Sequence, residues 1–367
     1  MYHFIKILMC IIVMMAPVAS VAGDDSDPKA HITQLYKTYI TTLKAGDEEK
    51  ALGLAQEMYS LSPPVFGAYS KSHATMAFNL AQMLEKRREY LAALPYYQEH
   101  VDILEKLKAP EDETYLYKLG LLAQAYRNAR EEEKAAKWSM KALVLARDLQ
   151  LPKEVIGDYE LELGSSYYGV HGEVRSARRY LKKAHDHYLE VYGEDHVKTA
   201  QALFWLAKVD ASFRKHRQAA EKLEAVLQVY EKNFPKGHDM TLQVHAFLVG
   251  AYEGKGDKDK ATEHCIAVAT ERPTDFDREI DPLYKIAPTY PLSAARSGKE
   301  GFVIAEFVVT ASGQVENIKT LEGENIRDFE KAAHEALSKF RYAPSIQNGQ
   351  RVRTEGVLHR VTFKMAQ

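Results

Sequence analysis

Two histidines stand in positions where their side chains could bind a metal ion. His196 and His238 each end a short polar loop, Gly-Glu-Asp-His in one case and Pro-Lys-Gly-His in the other. A structural metal site needs about four converging ligands, and no carboxylate or cysteine accompanies both histidines at a ligand-like spacing. The pattern therefore favours two equivalent loops, in which histidine orders the turn and caps the helix that follows.

The other histidines and the cysteines give no stronger site. His185 and His187 are two residues apart in a helical stretch, so their side chains point in different directions. The adjacent pair His264 and Cys265 fails on the same ground. The chain has two cysteines, and Cys10 lies in a predicted export signal. We therefore expect Cys265 to be a small buried apolar side chain rather than a reactive thiol.

Sequence motifs of known enzymes are absent. The chain contains no P-loop, no nucleophile elbow, no dinucleotide-binding glycine pattern and no HExxH zinc motif. Arg341 and Tyr342 are residue types common in active sites, but they follow a predicted helix, where packing and capping are the expected roles. The net charge of −2 gives no basic footprint for nucleic acid. The sequence predicts neither an enzyme nor a cofactor site.

A fixed period organises most of the chain, and His196 and His238 share it. Pairs such as Leu80-Ala81, Leu122-Ala123 and Leu206-Ala207 recur in the same register as a series of alanines, and small residues let two helices of a hairpin approach closely. A period of this length is typical of stacked repeats, in which each repeat buries its apolar face against its neighbours. The alanines recur at one constant spacing: Ala51, Ala93, Ala135, Ala177, Ala219 and Ala261.

This pattern resembles the tetratricopeptide repeat in a form of about 42 residues. HEAT repeats have a similar period, but the Leu-Ala pair followed by spaced small residues favours the tetratricopeptide assignment. The predicted array covers residues 23–273 in about six repeats. In the fourth repeat Leu163 and Gly164 are one residue out of phase, which predicts an insertion in that hairpin loop.

In tetratricopeptide arrays the first helix of each hairpin lines a concave groove. The resemblance therefore implies a groove lined by aromatic and polar side chains, suited to an extended peptide or a partner helix. The alternative is that some of these aromatic residues pack between hairpins. The predicted lining residues are Phe78, Gln82, Tyr117, Gln124, Arg127, Tyr159, Ser166, Gln201, Phe204 and Lys208.

Residues 1–22 have the features of an export signal. Lys6 precedes an apolar run, and Ser20-Val21-Ala22 provides the small residues that signal peptidase requires. We expect cleavage after Ala22 and a periplasmic protein. The alternative is a retained inner-membrane anchor with the rest of the chain in the periplasm.

The repeat register ends near residue 273. A linker is predicted at 274–285, followed by an α+β pattern at 286–367. This pattern has a short helix after Tyr290, a strand from Phe302, a turn at Gly313, a second strand with a bulge, a helix capped by Asn325, and a last strand. The inward face of the first strand is predicted as Val303, Ala305, Phe307 and Val309, that of the helix as Phe329, Ala332, Ala333, Ala336, Leu337 and Phe340, and that of the last strand as Val357, His359, Val361, Phe363 and Met365.

These residues resemble the TonB C-terminal domain. The resemblance is carried, in chain order, by Tyr290-Pro291, Gly301-x-Val303, Phe307-x-Val309, Gly313-x-Val315, Phe329-x-x-Ala332-Ala333 and Arg341-Tyr342-x-Pro344. It implies a three-stranded antiparallel sheet packed by two helices. It also implies strand addition, in which a short extended segment of an outer-membrane TonB-dependent receptor pairs with the last strand. The partner-binding edge would consist of Val357, Leu358, His359, Arg360, Val361, Thr362 and Phe363.

The chain departs from that family in one respect. TonB energy transducers carry a membrane anchor that engages a proton-driven motor of the inner membrane, followed by a long proline-rich span. This chain has 13 prolines and no such tract, and the repeat array occupies its place. Two hypotheses follow. Either the protein assists energy-coupled uptake, with its array docking on a motor component, or it is a periplasmic scaffold that transduces no energy.

Overall fold

The computed structural model describes residues 27–271 and 281–365. The predicted signal at 1–22 and most of the predicted linker lie outside the described residues. The chain divides into two compact units, 1–138 and 139–367, and each is described by itself.

The repeat region is filled by helices of 14 to 19 residues. Loops of two to four residues join them within hairpins. The first compact unit contains α1 to α5 and the first half of α6, and the second contains the rest. The bounds are α1 Pro28–Ala45, α2 Glu48–Phe66, α3 Lys71–Lys86, α4 Tyr90–Lys106, α5 Glu113–Asn128, α6 Glu132–Asp148, α7 Lys153–Gly169, α8 Val174–Tyr192, α9 Val197–Ser212, α10 His216–Asn233, α11 Asp239–Lys255 and α12 Lys258–Glu271.

The alanine series marks the same place in every hairpin. Each alanine is the fourth residue of the second helix, and all six are at most 1% exposed. In the fourth repeat, Gly164 of α7 carries this close approach. A Cβ at Gly164 would lie 2.7 Å from Cγ of Leu181 in α8. The loop between α7 and α8 is four residues long and is the longest of these hairpin loops, as the phase shift predicted.

The two loop histidines cap helices. The Nδ1 atom of His196 accepts a hydrogen bond from the backbone N–H of Lys198 at the start of α9. His238 makes the same bond at the start of α11. Each imidazole also stacks on an aromatic ring of the preceding helix or loop, Tyr192 and Phe234 respectively, with ring centroids 4.2 Å apart. The predicted capping role is confirmed.

A small α+β domain follows the repeats. Its elements are β1 Pro282–Tyr284, α13 Leu292–Arg296, β2 Gly301–Val309, β3 Val315–Glu324, α14 Ile326–Leu337, β4 Arg341–Tyr342, β5 Ser345–Gln347, β6 Gln350–Val352 and β7 Thr354–Phe363. The main sheet is antiparallel with strand order β3-β2-β7, and β1 pairs with β4. The predicted inward faces of β2 and α14 are buried, and they form one core with Val357, Val361 and Phe363 of β7.

Three details of the predicted domain are wrong. Residues 281–285, assigned to a linker, contain strand β1, because its backbone pairs with Arg341 and Tyr342. Asn325 begins α14 without a side-chain cap; its backbone is left-handed, with a φ of +53°, and its Nδ2 donates to the carbonyl of Glu300. Met365 is 43% exposed, because β7 ends at Phe363 before the alternation reaches it.

Candidate protein-binding surfaces

Strand β7 has one edge without a strand partner in the described part of the chain. Its residues pair with β2 alone, from Val357 opposite Phe307 to Phe363 opposite Gly301. An unpaired edge presents backbone N–H and C=O groups that an extended peptide can bind. This is the edge to which the TonB resemblance assigns the partner segment, and that assignment stays a prediction.

Strand β3 is the other edge of the same sheet, but it is less regular. Its register with β2 shifts twice, between Ile304 and Ala305 and between Glu306 and Val308, and Asn317 has a φ of +54°. Bulges of this kind twist an edge away from further pairing. The register of β7 shifts once, outside the stretch from Val357 to Phe363. The more regular of the two edges of this sheet is therefore β7.

The side chains of β7 divide between the core and the outer face of the sheet. Val357, Val361 and Phe363 are at most 8% exposed and anchor the strand. Leu358 is 59% exposed. The guanidinium carbon of Arg360 lies 3.7 Å from the ring centroid of Phe302 on the neighbouring strand, a cation–π contact that fixes its direction. The outer face thus offers a partner an apolar and a cationic side chain.

His359 lies on the inner face of β7 and is half-buried. Its ring packs edge-on against Phe340, with centroids 5.3 Å apart. Burial, together with nearby Lys285, lowers the pKa of His359, while Asp281 opposes the shift. His359 is therefore neutral at pH 7 and contributes packing rather than charge to this edge.

Three of the predicted groove residues are buried in the core instead. Phe78 is 5% exposed and packs against His100, and its ring lies 3.2 Å from the ammonium of Lys118, whose pKa burial lowers to about 8. Phe204 is 6% exposed and packs edge-on against Phe247. Neither ring is free to receive a ligand, because neighbouring helices enclose both. Ser166 is also fully buried.

The other predicted groove residues remain accessible. Gln124 is exposed, and the rest are half-buried, so the groove assignment stays a prediction for them. These half-buried residues are Gln82, Tyr117, Arg127, Tyr159, Gln201 and Lys208.

Lys208 lies within an aromatic cluster that the sequence reading missed. Its ammonium is 3.8 Å from the ring centroid of Trp205, 4.9 Å from that of Tyr168 and 5.2 Å from that of Phe247. Trp205 and Phe247 are one repeat period apart, so the repeat register contained the signal for this pairing. Three half-buried rings and one cation suit a peptide that carries aromatic or acidic side chains.

Cys265 is fully buried, as expected, and burial raises the pKa of its thiol to about 12. While it is buried, this thiol is therefore protonated at neutral pH. No set of three or more metal-ligating side chains converges among the described residues. Nor does any helix in 27–271 or 281–365 have the length and apolar character needed to cross a bilayer.

Comparisons with known proteins agree with both halves of this architecture. Residues 286–365 match the model of the Gram-negative bacterial TonB protein C-terminal, and residues 160–232 match a tetratricopeptide-repeat model. The chain is thus a tetratricopeptide-repeat protein that carries a TonB C-terminal domain.

Relatives and solved structures resemble parts of the chain. Over 73 residues the chain is 34% identical to Protein TonB of Pseudomonas aeruginosa. This match covers 20% of the chain and 21% of the Pseudomonas protein. Over 64 residues the chain is 38% identical to Protein TonB of Xanthomonas campestris pv. campestris, covering 17% and 29%. The chain therefore spans less than a third of the length of either relative. The apo form of RapI superimposes with a TM-score of 0.52 at 14% identity, covering 73% of this chain and 69% of RapI, a likeness of fold alone.

Proposed function

We propose that this protein acts in the periplasm in energy-coupled uptake through outer-membrane TonB-dependent receptors. Its C-terminal domain binds an extended receptor segment, which adds to β7 as a fourth strand of the main sheet. The repeat array docks a protein partner, and a proton-driven motor component of the inner membrane is the partner this role requires.

The observation that carries the proposal is the regular edge of β7, which has no strand partner among the described residues, in a domain that matches TonB. Seven consecutive residues, from Val357 to Phe363, keep an unbroken register with β2. Main-chain hydrogen bonds along such an edge supply affinity for almost any extended segment. Leu358 and Arg360 on the outer face then add selectivity for apolar and acidic side chains of the guest.

The test is binding of the full chain to a peptide from the periplasmic N-terminal segment of a TonB-dependent receptor of the same genome. The control peptide has the same composition in scrambled order. We expect saturable binding of the native segment, measured by fluorescence anisotropy, and much weaker binding of the control. If neither peptide binds at concentrations up to about 1 mM, where the binding free energy is only about −4 kcal/mol, the uptake proposal fails.

A scaffold without energy transduction is the second candidate. It is favoured by the contact of Arg341 in the C-terminal domain with Glu253 in the last repeat, because a domain held on the array is not tethered by a long flexible span. The two candidates differ in cells. Dissipating the proton gradient should change receptor crosslinking to β7 if energy is transduced, and should leave it unchanged for a scaffold.

A further inference from the structure

The groove register continues into the sixth repeat, where the chain itself occupies it. Lys208, a predicted groove residue, and Gly250 in α11 are one repeat period apart and hold equivalent positions in successive repeats. A Cβ at Gly250 would lie 3.4 Å from Cδ2 of Tyr284. The ring of Tyr284 in β1 therefore packs on a surface of α11. This surface is equivalent to the one around Lys208 in the preceding repeat.

One turn further along α11, an ion pair joins this helix to β4, the strand that pairs with β1. Arg341 of β4 donates from Nε to Oε1 of Glu253 at 2.5 Å. The two side chains are 6% and 12% exposed. A guanidinium cannot shed its proton, so the carboxylate of Glu253 is what offsets the desolvation of Arg341.

A third contact closes the interface beside α12. The turn between β2 and β3 has Gly313 at a φ of +77°, and a Cβ there would lie 3.3 Å from Cβ of Cys265. The carbonyl of Gly313 also accepts a hydrogen bond from the backbone N–H of Tyr342. The turn thus links β4 to the last hairpin.

The apolar cores on either side of this interface are separate. The core of the C-terminal domain contains residues from Ala294 to Phe363, and that of the last two repeats contains residues from Ala200 to Ala261. Among the residues that the structure describes, none belongs to both. An interface built from one buried ion pair, the close contacts at Gly250 and Gly313, and the approach of β5 to α12 resembles those between domains that can move apart.

We infer that the C-terminal domain is itself a ligand of the sixth repeat, docked reversibly on its groove face and held there by the Arg341–Glu253 ion pair. In the docked state, β1 and Arg341 occupy the positions through which that repeat would contact an external partner. A partner that extends along α11 and the docked domain therefore exclude each other. This inference does not depend on what binds to the edge of β7.

Cys265 reports on docking, because the Gly313 turn covers it. In the full chain with Cys10→Ser, it is the single cysteine, and the rate of its labelling by a maleimide at neutral pH measures how often the interface opens. Glu253→Gln leaves the buried Arg341 without a charge partner, and loss of one member of a buried pair is strongly destabilising. We expect labelling to be about tenfold faster or more, and Arg341→Met should act in the same direction.

A matched control lies within the array. Glu160 is 1% exposed and accepts from Nη2 of Arg147 at 2.6 Å, away from this interface. Glu160→Gln should lower the overall stability without speeding the labelling of Cys265 under native conditions. The double variant Glu253→Gln with Arg341→Met should label more slowly than the product of the two single-variant rate increases predicts. The two effects are not independent, because the two side chains are in direct contact.

Hydrogen exchange separates undocking from unfolding of the hairpin. Faster labelling with unchanged protection of the α11 and α12 amides supports the inference. An unchanged labelling rate in both single variants overturns it. Faster labelling with lost protection of those amides also overturns it, because the ion pair would then hold the hairpin together rather than the domain against it.

Discussion

Proline substitutions along β7 test the acceptor edge residue by residue. In an antiparallel strand the N–H groups of alternate residues point to opposite sides. Leu358, Arg360 and Thr362 therefore all donate either toward β2 or away from it, and His359 does the opposite. Proline removes the N–H at one position at a time. The four variants must consequently fall into two groups, with His359→Pro alone in one of them.

One group of variants should lose peptide affinity, and the other should lose stability of the domain. Where the N–H points outward, proline removes one hydrogen bond to the guest strand, worth about 0.5–1.5 kcal/mol, and the peptide affinity falls roughly 2- to 13-fold. The proline ring at the edge adds a steric cost, so about tenfold is expected. Where the N–H points to β2, a carbonyl in the sheet is left without its donor, at about 1–3 kcal/mol, and the domain itself is destabilised.

Circular dichroism melting and peptide anisotropy on the same samples separate these outcomes. The matched control is Leu358→Ala, which shortens the same exposed side chain but keeps the N–H. It should melt as the parent does and retain most of its affinity. The β7 edge does not accept a strand if Leu358→Pro and Thr362→Pro behave differently from each other, or if all four proline variants fold and bind like the parent.

Three further predictions concern the repeats and the N-terminus. Gly164→Ala should destabilise by about 1 kcal/mol in denaturant unfolding, because overpacking against Leu181 costs about 1–3 kcal/mol and helix propensity returns up to about 1. Gly53→Ala, with no described atom within 4 Å of the new Cβ, should instead stabilise by about 0.5–1 kcal/mol, and equal signs would contradict the register. Burial lowers the pKa of His100 from 6.5 to about 4, so the unfolded chain binds more protons in that interval. From pH 7 to pH 5 His100 should contribute about 2 kcal/mol to the loss of stability. Other histidines with lowered pKa values, such as His264, add to the slope in the same direction, so it is an unchanged slope in His100→Gln that would exclude this contribution. Mass spectrometry should find a mature chain that begins at Gly23, whereas a full-length species released only by detergent would favour the anchored alternative.

The repeat architecture was predictable because the same residue pattern recurs six times in the sequence. Each hairpin repeats the same packing problem, so Ala177 or Ala219 is constrained by the same close approach as its counterparts. The irregular fourth repeat was also predictable, because Leu163 and Gly164 are one residue out of phase with the usual Leu-Ala pair. The loop of this hairpin is correspondingly longer. Local signals of this kind survive without any knowledge of the tertiary structure.

The groove residues were harder to predict. The repeat register indicates which face of the helix a side chain is on, but not how exposed that side chain is. Phe78 and Lys208 both stand in the first helix of a hairpin, yet the ring of Phe78 is enclosed by His100 and Lys118 while Lys208 is half-buried among three rings. Enclosure depends on which side chains the neighbouring helices contribute. That contribution varies between repeats even though the backbone pattern does not.

The contact between the C-terminal domain and the last repeat carries no local signal at all. Glu253 lies in a helix whose charged positions are expected to face solvent. Arg341 follows a predicted helix, where packing and capping are the expected roles. The two residues are 88 positions apart. The family model begins at residue 286, after β1, so the strand that rests on α11 and pairs with β4 falls outside it. A fragment cut at 286 therefore loses both the partner of β4 and the ring that covers Gly250. Because the docked form depends on these groups, experiments that compare the domain with the full chain should begin the domain at residue 281, where β1 is retained.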